Sequence, residues 1–263
     1  MPEGDTIART ARTLDRVLTG RPLTRAEASR VHGHMPAVGT LVTGVEARGK
    51  HLLVHFGDGR TLRTHMRMTG SWHVYAPGER WRKQPAAARA VLEVPGAVAV
   101  CFAAPVVELV PTAGLETTGP LATLGPDLTA DVADVAAAVV RARAGDQDRD
   151  VSELLLDQRV ASGVGNIYRS ETLFETRLAP STPVADLSDA ALRALFETAR
   201  RQLRSNLDGP GPRRTVAGGL AVYRRAGRPC RVCGTVIATE RRGEHARSVY
   251  WCPRCQVPPR ATA

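Results

Sequence analysis

Four cysteines constrain the fold of this chain more than any other feature. They come as two knuckles, PCRVC and WCPRC, so that Cys230 and Cys233 precede Cys252 and Cys255 with 18 residues between the pairs. A C-x2-C pair sets two thiolates at the tip of a tight hairpin, and two such pairs close a tetrahedron around one zinc ion. Disulfides are the other use of four cysteines, but the regular spacing and a reducing cytoplasm disfavour them. The expected cofactor is one structural Zn2+ per chain. Four thiolates leave such a metal no open position for water, which argues against a zinc hydrolase. The fifth cysteine, Cys101, lies in AVAVCFAAPVV and reads as a buried, reduced core residue.

At 263 residues, 43% of them hydrophobic, the chain holds one large domain or two modest ones. No apolar run nears the ~18 residues that span a membrane, and the N-terminus lacks a basic-then-apolar signal segment. The expectation is a cytoplasmic protein working at the nucleoid, with no membrane partner and nothing pointing beyond a monomer. The formal charge is +10 and the isoelectric point about 10.2. That balance favours a polyanionic partner, above all nucleic acid. A well-solvated arginine-rich surface is the alternative.

Periodicity orders the chain. Ile7, Ala11, Leu14 and Leu18 recur at helical spacing, with Asp5 as N-cap and Gly20 as stop. From about Leu23 to Val110, the stretches TLVTGVEARG, HLLVHF, TLRTHM, SWHVY and AVLEV alternate or are β-branched, and GDG at 57–59 signals a hairpin. An antiparallel sandwich or barrel follows. Beyond GPDL at 125–128 the pattern turns helical, with Asp131, Ser152 and Ser188 as candidate N-caps. The fold class is α+β: an N-terminal β-sandwich with a leading helix, then a helical domain, then a zinc ribbon. The expected domains are 1–125, 126–215 and 216–263.

Several short motifs carry chemistry. The chain opens MPEGDT. If Met1 is trimmed, Pro2 becomes a terminal secondary amine with a pKa near ~8, far more often neutral than a lysine. Such an amine attacks a carbonyl-like carbon and forms an iminium, and Glu3 stands beside it to move protons. VASGVGNIYRSE, at 160–171, joins two helical patterns. Gly163 and Gly165 permit turns, and Asn166 as N-cap of the next helix would leave open amides for a phosphate. A plain helix–turn–helix corner is the other reading. In the ribbon loop, Arg241, Arg242 and Arg247 are candidate backbone contacts, Arg247 first among them because strand-like SVYW follows it. Lys50, after a glycine at a strand start, is commonly just solvated. In HMRMTG, at 65–70, Met66 or Met68 is core or, at a loop tip, a wedge between bases.

The N-terminal PEG, the β-rich first half, the GVGNIYRSE turn and the terminal paired knuckles occur in that order over essentially the whole chain. Together they resemble the formamidopyrimidine-DNA glycosylase and endonuclease VIII family of base-excision repair, and MPEGDT is similar to the actinobacterial endonuclease VIII branch. The resemblance implies that Pro2 is the nucleophile at the anomeric carbon of a flipped, damaged nucleotide and Glu3 the general acid. It implies strand cleavage by β- and then δ-elimination, with damaged DNA as partner. Lys50 matches the family's phosphate-binding lysine, Asn166 the asparagine of a helix–two-turn–helix, and Arg247 the zinc-finger arginine. Met68 aligns with the residue that fills the vacated stack, and His65 and Tyr168 lie near these groups in sequence. Met68 is flanked by Arg67 and Thr69 rather than an aromatic, and PVVELVPTAGLETTG supplies no Arg–x–Phe. The connection GPGPRRTVAGG is short for a base-capping lid, which favours oxidised pyrimidines. The alternative class is a non-catalytic module that binds damaged DNA, which would need no proline and glutamate at positions 2 and 3.

Overall fold

A computed structural model of the chain describes residues 2–29, 31, 33–207, 213, 215–243 and 246–257. The chain divides into two compact units, Met1–Thr123 and Leu124–Ala263. Among the described residues no helix is long and apolar enough to cross a membrane.

The first unit is a β-sandwich with a helix at its head. Helix α1 (Gly4–Leu18) buries Ile7, Ala11, Leu14 and Leu18, the stripe read from the sequence. Eight strands follow: β1 (Arg25–Ala28), β2 (Val42–Arg48), β3 (His51–Phe56), β4 (Arg60–His65), β5 (Ser71–Tyr75), β6 (Ala88–Val94), β7 (Ala97–Phe102) and β8 (Val106–Pro111). They form two antiparallel sheets, ordered β1-β6-β7-β5 and β2-β3-β4-β8. The hairpin expected at 57–59 joins β3 to β4, with Gly59 at φ 81°. Helix α1 packs on β2, β3 and β7. Its stripe joins Leu52, Val54, Leu62, Leu92, Ala99 and Cys101 in one core. Burial pushes the Cys101 thiol up to about 12, as an inert core cysteine requires.

Strand β7 is buried on both faces. Ala97, Ala99 and Cys101 point into the sandwich. Val98, Val100 and Phe102 point outward, into a second cluster with Tyr75 and Val91 against which Trp81 packs.

The second unit is helical and ends in a hairpin. Its helices are α3 (Val135–Ala144), α4 (Val151–Leu154), α5 (Asn166–Glu175) and α6 (Asp189–Arg204), the short α2 (Gly119–Ala122) preceding them in the first unit. Strands β9 (Ala238–Arg242) and β10 (Arg247–Trp251) pair antiparallel. Ser188 caps α6, accepting from the Ala191 amide at 3.2 Å. The other expected caps shift by a few residues: Asp134 rather than Asp131 caps α3, and Asp150 rather than Ser152 precedes α4. Several short polar residues compete at each start, and Ser152 falls inside α4, where it is buried.

Candidate functional site

The first unit places Pro2 and Glu3 at the head of α1. Pro2 is half-buried in the extended segment before the helix. Glu3, not Asp5, takes the N-cap position, with φ −119° and ψ −177°, and its carbonyl accepts from the Ile7 amide at 3.0 Å. Its side chain is fully buried. Asp5 falls within the first turn, also buried, because the helix begins one residue earlier than its polar signal. Two residues that would fray in an ordinary terminus are thus fixed to a packed helix.

Lys50 lies in the two-residue turn between β2 and β3, closed by Gly49 at φ 57°. The next residue, His51, is registered opposite His65 at the end of β4, and the two rings meet edge-on at 4.8 Å. Nδ1 of His65 accepts from the Arg67 amide at 3.2 Å, so the ring proton sits on Nε2. Burial, with Lys50 and Arg67 nearby, holds His65 down to about 4. Burial and the neighbouring cations hold His51 down to about 3. Both rings are neutral at cellular pH, so the positive charge around them comes from Lys50, Arg63 and Arg67. In an unfolded chain the same rings take protons near ~6.5. Between ~6.5 and about 4 the unfolded state therefore binds more protons, and stability falls as pH falls. Urea midpoints should drop across that window, and His65→Gln should flatten part of the drop.

The turn after His65 separates the two methionines. Met66 is buried in the core and Met68 is 66% exposed at the tip. Gly70 closes the turn by donating to the Met66 carbonyl at 2.8 Å. A Cβ at Gly70 would lie 2.7 Å from the Met66 Cα, so no other residue fits.

In the second unit the segment before α5 is fixed by backbone contacts. Gly125 donates to the Gln158 carbonyl at 2.8 Å. A Cβ there would lie 2.3 Å from the Val160 carbonyl oxygen. The N-cap of α5 is Gly165, and Asn166 is the first helical residue, a correction to its reading as the cap. The Asn166 side chain instead reaches across the sequence, Nδ2 donating to the Ser248 carbonyl at 2.8 Å. Arg169, fully buried, donates to Asn166 Oδ1, to the Ser248 carbonyl at 2.9 Å and to the Arg247 carbonyl at 3.3 Å. Asn166 and the strand that carries Arg247 are therefore locked together. Tyr168 is fully buried in the helical core, with the Arg213 guanidinium 5.6 Å from its ring centre, so it supports α5 from within.

Arg247 lines a pocket of about 420 Å³ with Arg149, Arg159, Arg169, Arg242 and two carboxylates, Glu153 and Asp157. Burial alone would raise the Asp157 carboxyl, but hydrogen bonds from Arg159 and Arg149 outweigh it and hold it at about 2. Arg242 is spent on Asp150 and Glu240, and Arg241 is exposed. Arg149, Arg159 and Arg169 escaped the sequence reading. The i, i+3 spacing of Asn166 and Arg169 was a usable signal for the last.

Glu171 also escaped it. Its buried carboxylate accepts from the amides of Ala221, Val222 and Tyr223 at 2.7, 2.9 and 2.8 Å, and from the Thr215 hydroxyl. It ties α5 to the chain that leads into the cysteine hairpins. In GPGPRRTVAGG before that point, residues 209–212 and 214 lie outside the described residues. Glu171→Ala should cost ~3–5 kcal/mol in urea unfolding, because the amides it satisfies lose a charged acceptor.

The four sulfurs of Cys230, Cys233, Cys252 and Cys255 lie within 4.8 Å of one another. Cys233 and Cys252 are 3.5 Å apart, and Cys230 and Cys255 3.9 Å. A tetrahedral zinc with ~2.3 Å bonds requires sulfurs ~3.8 Å apart. The Thr235 hydroxyl and amide hold the Cys233 thiol down to about 6, whereas burial pushes the Cys255 thiol up to about 12. The donor set fits zinc. Gln256 supports the knuckle, accepting from the Cys252 amide at 2.8 Å and donating to the Leu178 carbonyl at 2.9 Å.

Comparison with known proteins agrees with this arrangement. The formamidopyrimidine-DNA glycosylase N-terminal domain matches residues 1–105, the H2TH domain of the same enzyme 124–214, and the zinc finger found in that glycosylase and in isoleucyl-tRNA synthetase 227–257. Sandwich, helical segment and finger in this order define a zinc-finger DNA glycosylase scaffold. The chain belongs to the formamidopyrimidine-DNA glycosylase and endonuclease 8 family. It is 41% identical to a probable endonuclease 8 2 of Streptomyces coelicolor, over 98% of this chain and 95% of that one. It is 37% identical to a DNA-(apurinic or apyrimidinic site) lyase, Nei2, of Mycolicibacterium smegmatis, over 98% and 99%. The fold matches the Lactococcus lactis formamidopyrimidine-DNA glycosylase crystallised on abasic-site DNA, with a TM-score of 0.83 at 22% identity, over 97% of this chain and 99% of that one.

Proposed function

We infer that this chain is a bifunctional DNA glycosylase and abasic-site lyase acting on damaged DNA. The observation that carries the reading is the Pro2–Glu3 pair fixed to the head of α1, with the Glu3 side chain fully buried. With Met1 removed, the Pro2 nitrogen attacks C1′ of the lesion nucleotide. The bond to the base breaks, the base leaves with a proton, and the sugar opens as an iminium. Glu3 supplies the proton to the ring oxygen. The iminium acidifies the C2′ hydrogen, whose loss expels the 3′ phosphate; a second elimination expels the 5′ phosphate.

Lys50, Asn166 and Arg247 hold backbone phosphates around the extruded nucleotide, supplying position without reading sequence. Lys50 suits that role because the neutral His51 and His65 beside it do not compete for the phosphate. Met68, exposed at its turn, fills the vacated stack, and His65 steadies that turn through the Arg67 amide. Oxidised pyrimidines are the favoured lesions, a reading supported by GPGPRRTVAGG, which is short for a base-capping lid. The bound metal is one structural zinc, which closes the hairpin that presents Arg247.

The products test this. A duplex with one abasic site, incubated with the untagged chain, should yield a gap with phosphate at both ends, the mark of successive eliminations. A 3′-hydroxyl end would mean hydrolysis and would overturn the lyase reading. An uncut duplex would leave a binding module.

A further inference from the structure

We propose that the β5–β6 connection, residues 79–84, is a second DNA-binding site, taking unpaired strand away from the lesion. The segment ERWRKQ interleaves three cations with an aromatic ring. Arg80, Trp81, Arg82 and Lys83 line one concavity of about 610 Å³. That is within the ~300–1,000 Å³ of ordinary ligand clefts.

The cations there are not used to hold the fold by ion pairing. Elsewhere in this unit Arg25, Arg48, Arg60 and Arg63 each sit on a carboxylate. Among the described residues Arg80, Arg82 and Lys83 form no ion pair. The one carboxylate in the loop, Glu79, accepts from the Ala76 amide at 2.9 Å and closes its own turn.

The loop is also pre-organised. The Arg82 amide donates to the Tyr75 hydroxyl at 3.1 Å, and Lys83 Nζ to the Ser71 hydroxyl at 2.8 Å. Trp81 stands edge-on to Phe102 at 5.7 Å and near-parallel to Tyr75 at 6.4 Å. It remains half-exposed, anchored on one side and open to the concavity on the other. An aromatic platform anchored on one side, among cations not committed to carboxylates, is what an unstacked base and its flanking phosphates require. The charge is complementary to a polyanion, and the aromatic favours nucleic acid over an acidic peptide.

Position separates this site from the catalytic one. The loop covers the outward side chains of β7, whereas α1, headed by Pro2, packs with the inward ones. Strand bound here is not the nucleotide under attack. The inference rests on the DNA reading above only for the identity of the polyanion.

The test compares the full chain with the variant Arg80→Ala/Arg82→Ala/Lys83→Ala, using fluorescent oligothymidylate as probe. Three lost contacts at ~0.7 each should cut the slope of log affinity against log salt by about two. Affinity near 0.1 M salt should fall about tenfold or more. Trp81→Phe, which keeps an aromatic on Phe102, should reduce the fluorescence quench on binding. Cleavage of a short abasic duplex should be unchanged. Unchanged slope and affinity in the triple variant, repeated with Arg80→Glu/Arg82→Glu, would overturn the proposal. So would loss of binding to a polyglutamate peptide with oligothymidylate binding intact. If the parent chain cleaves nothing but the slope still falls, the lyase reading fails and this site stands.

Discussion

A chain carrying one extra residue ahead of Pro2 is expected to bind abasic DNA normally and to cleave it more than about a thousandfold more slowly. The reason is covalent. An amide nitrogen has no free lone pair, so blocking the terminus removes the nucleophile while leaving Lys50, Asn166 and Arg247 in place. Pro2 and Glu3 are fixed by α1, whose first hydrogen bond runs from Ile7 to the Glu3 carbonyl. The core stripe of α1 begins at Ile7 and does not include Pro2, so blocking the terminus does not remove a core contact. The measurement is single-turnover cleavage beside equilibrium binding, with the mass of the terminus determined for both proteins. Equal cleavage rates would place the nucleophile elsewhere.

Removing the metal is expected to unfold the hairpin and to weaken DNA binding by roughly a hundredfold or more. Strands β9 and β10 have five residues each. An isolated two-stranded hairpin of that size is marginal in water. The small core beneath it consists of Phe174, Ala221, Val222, Ile237 and two of the cysteines. Zinc bound to these four thiolates would supply ~10–16 kcal/mol, a large part of what would hold this piece together. When it leaves, Ser248 no longer receives Asn166 and Arg169, and Arg247 loses its fixed strand. Two charge-assisted contacts at ~1.5–3 kcal/mol each account for the loss. Chelation, or Cys252→Ser, should lower the thermal midpoint and raise Kd while borohydride-trappable adduct still forms at saturating DNA. Undiminished affinity after complete metal loss would contradict this placement of Arg247.

Local features were legible in the sequence. The cysteine spacing, the stripe of Ile7, Ala11, Leu14 and Leu18, and the GDG hairpin depend on neighbours a few residues apart, and each reappears in the fold. The strand order β1-β6-β7-β5 was not legible, because alternation marks a strand's faces but not its partner. Helix caps were readable only to within a turn. Asp5 and Ser152 have suitable side chains for capping, yet both are buried inside their helices. Asn166 shows the limit most clearly. Its partner Ser248 lies 82 residues away, so a local reading assigns it the capping role that its type favours. Glu171 was hidden for the same reason, its amide partners being 50 to 52 residues downstream.

In the proposed reaction the terminal amine of Pro2 forms the covalent bond to the sugar. The most direct test reduces the untagged protein onto an abasic oligonucleotide with borohydride, digests the adduct and sequences the modified peptide by mass spectrometry. The sugar should be carried by the N-terminal peptide, on the nitrogen of Pro2. Modification of Lys50 instead, with Pro2 unmodified, would contradict it.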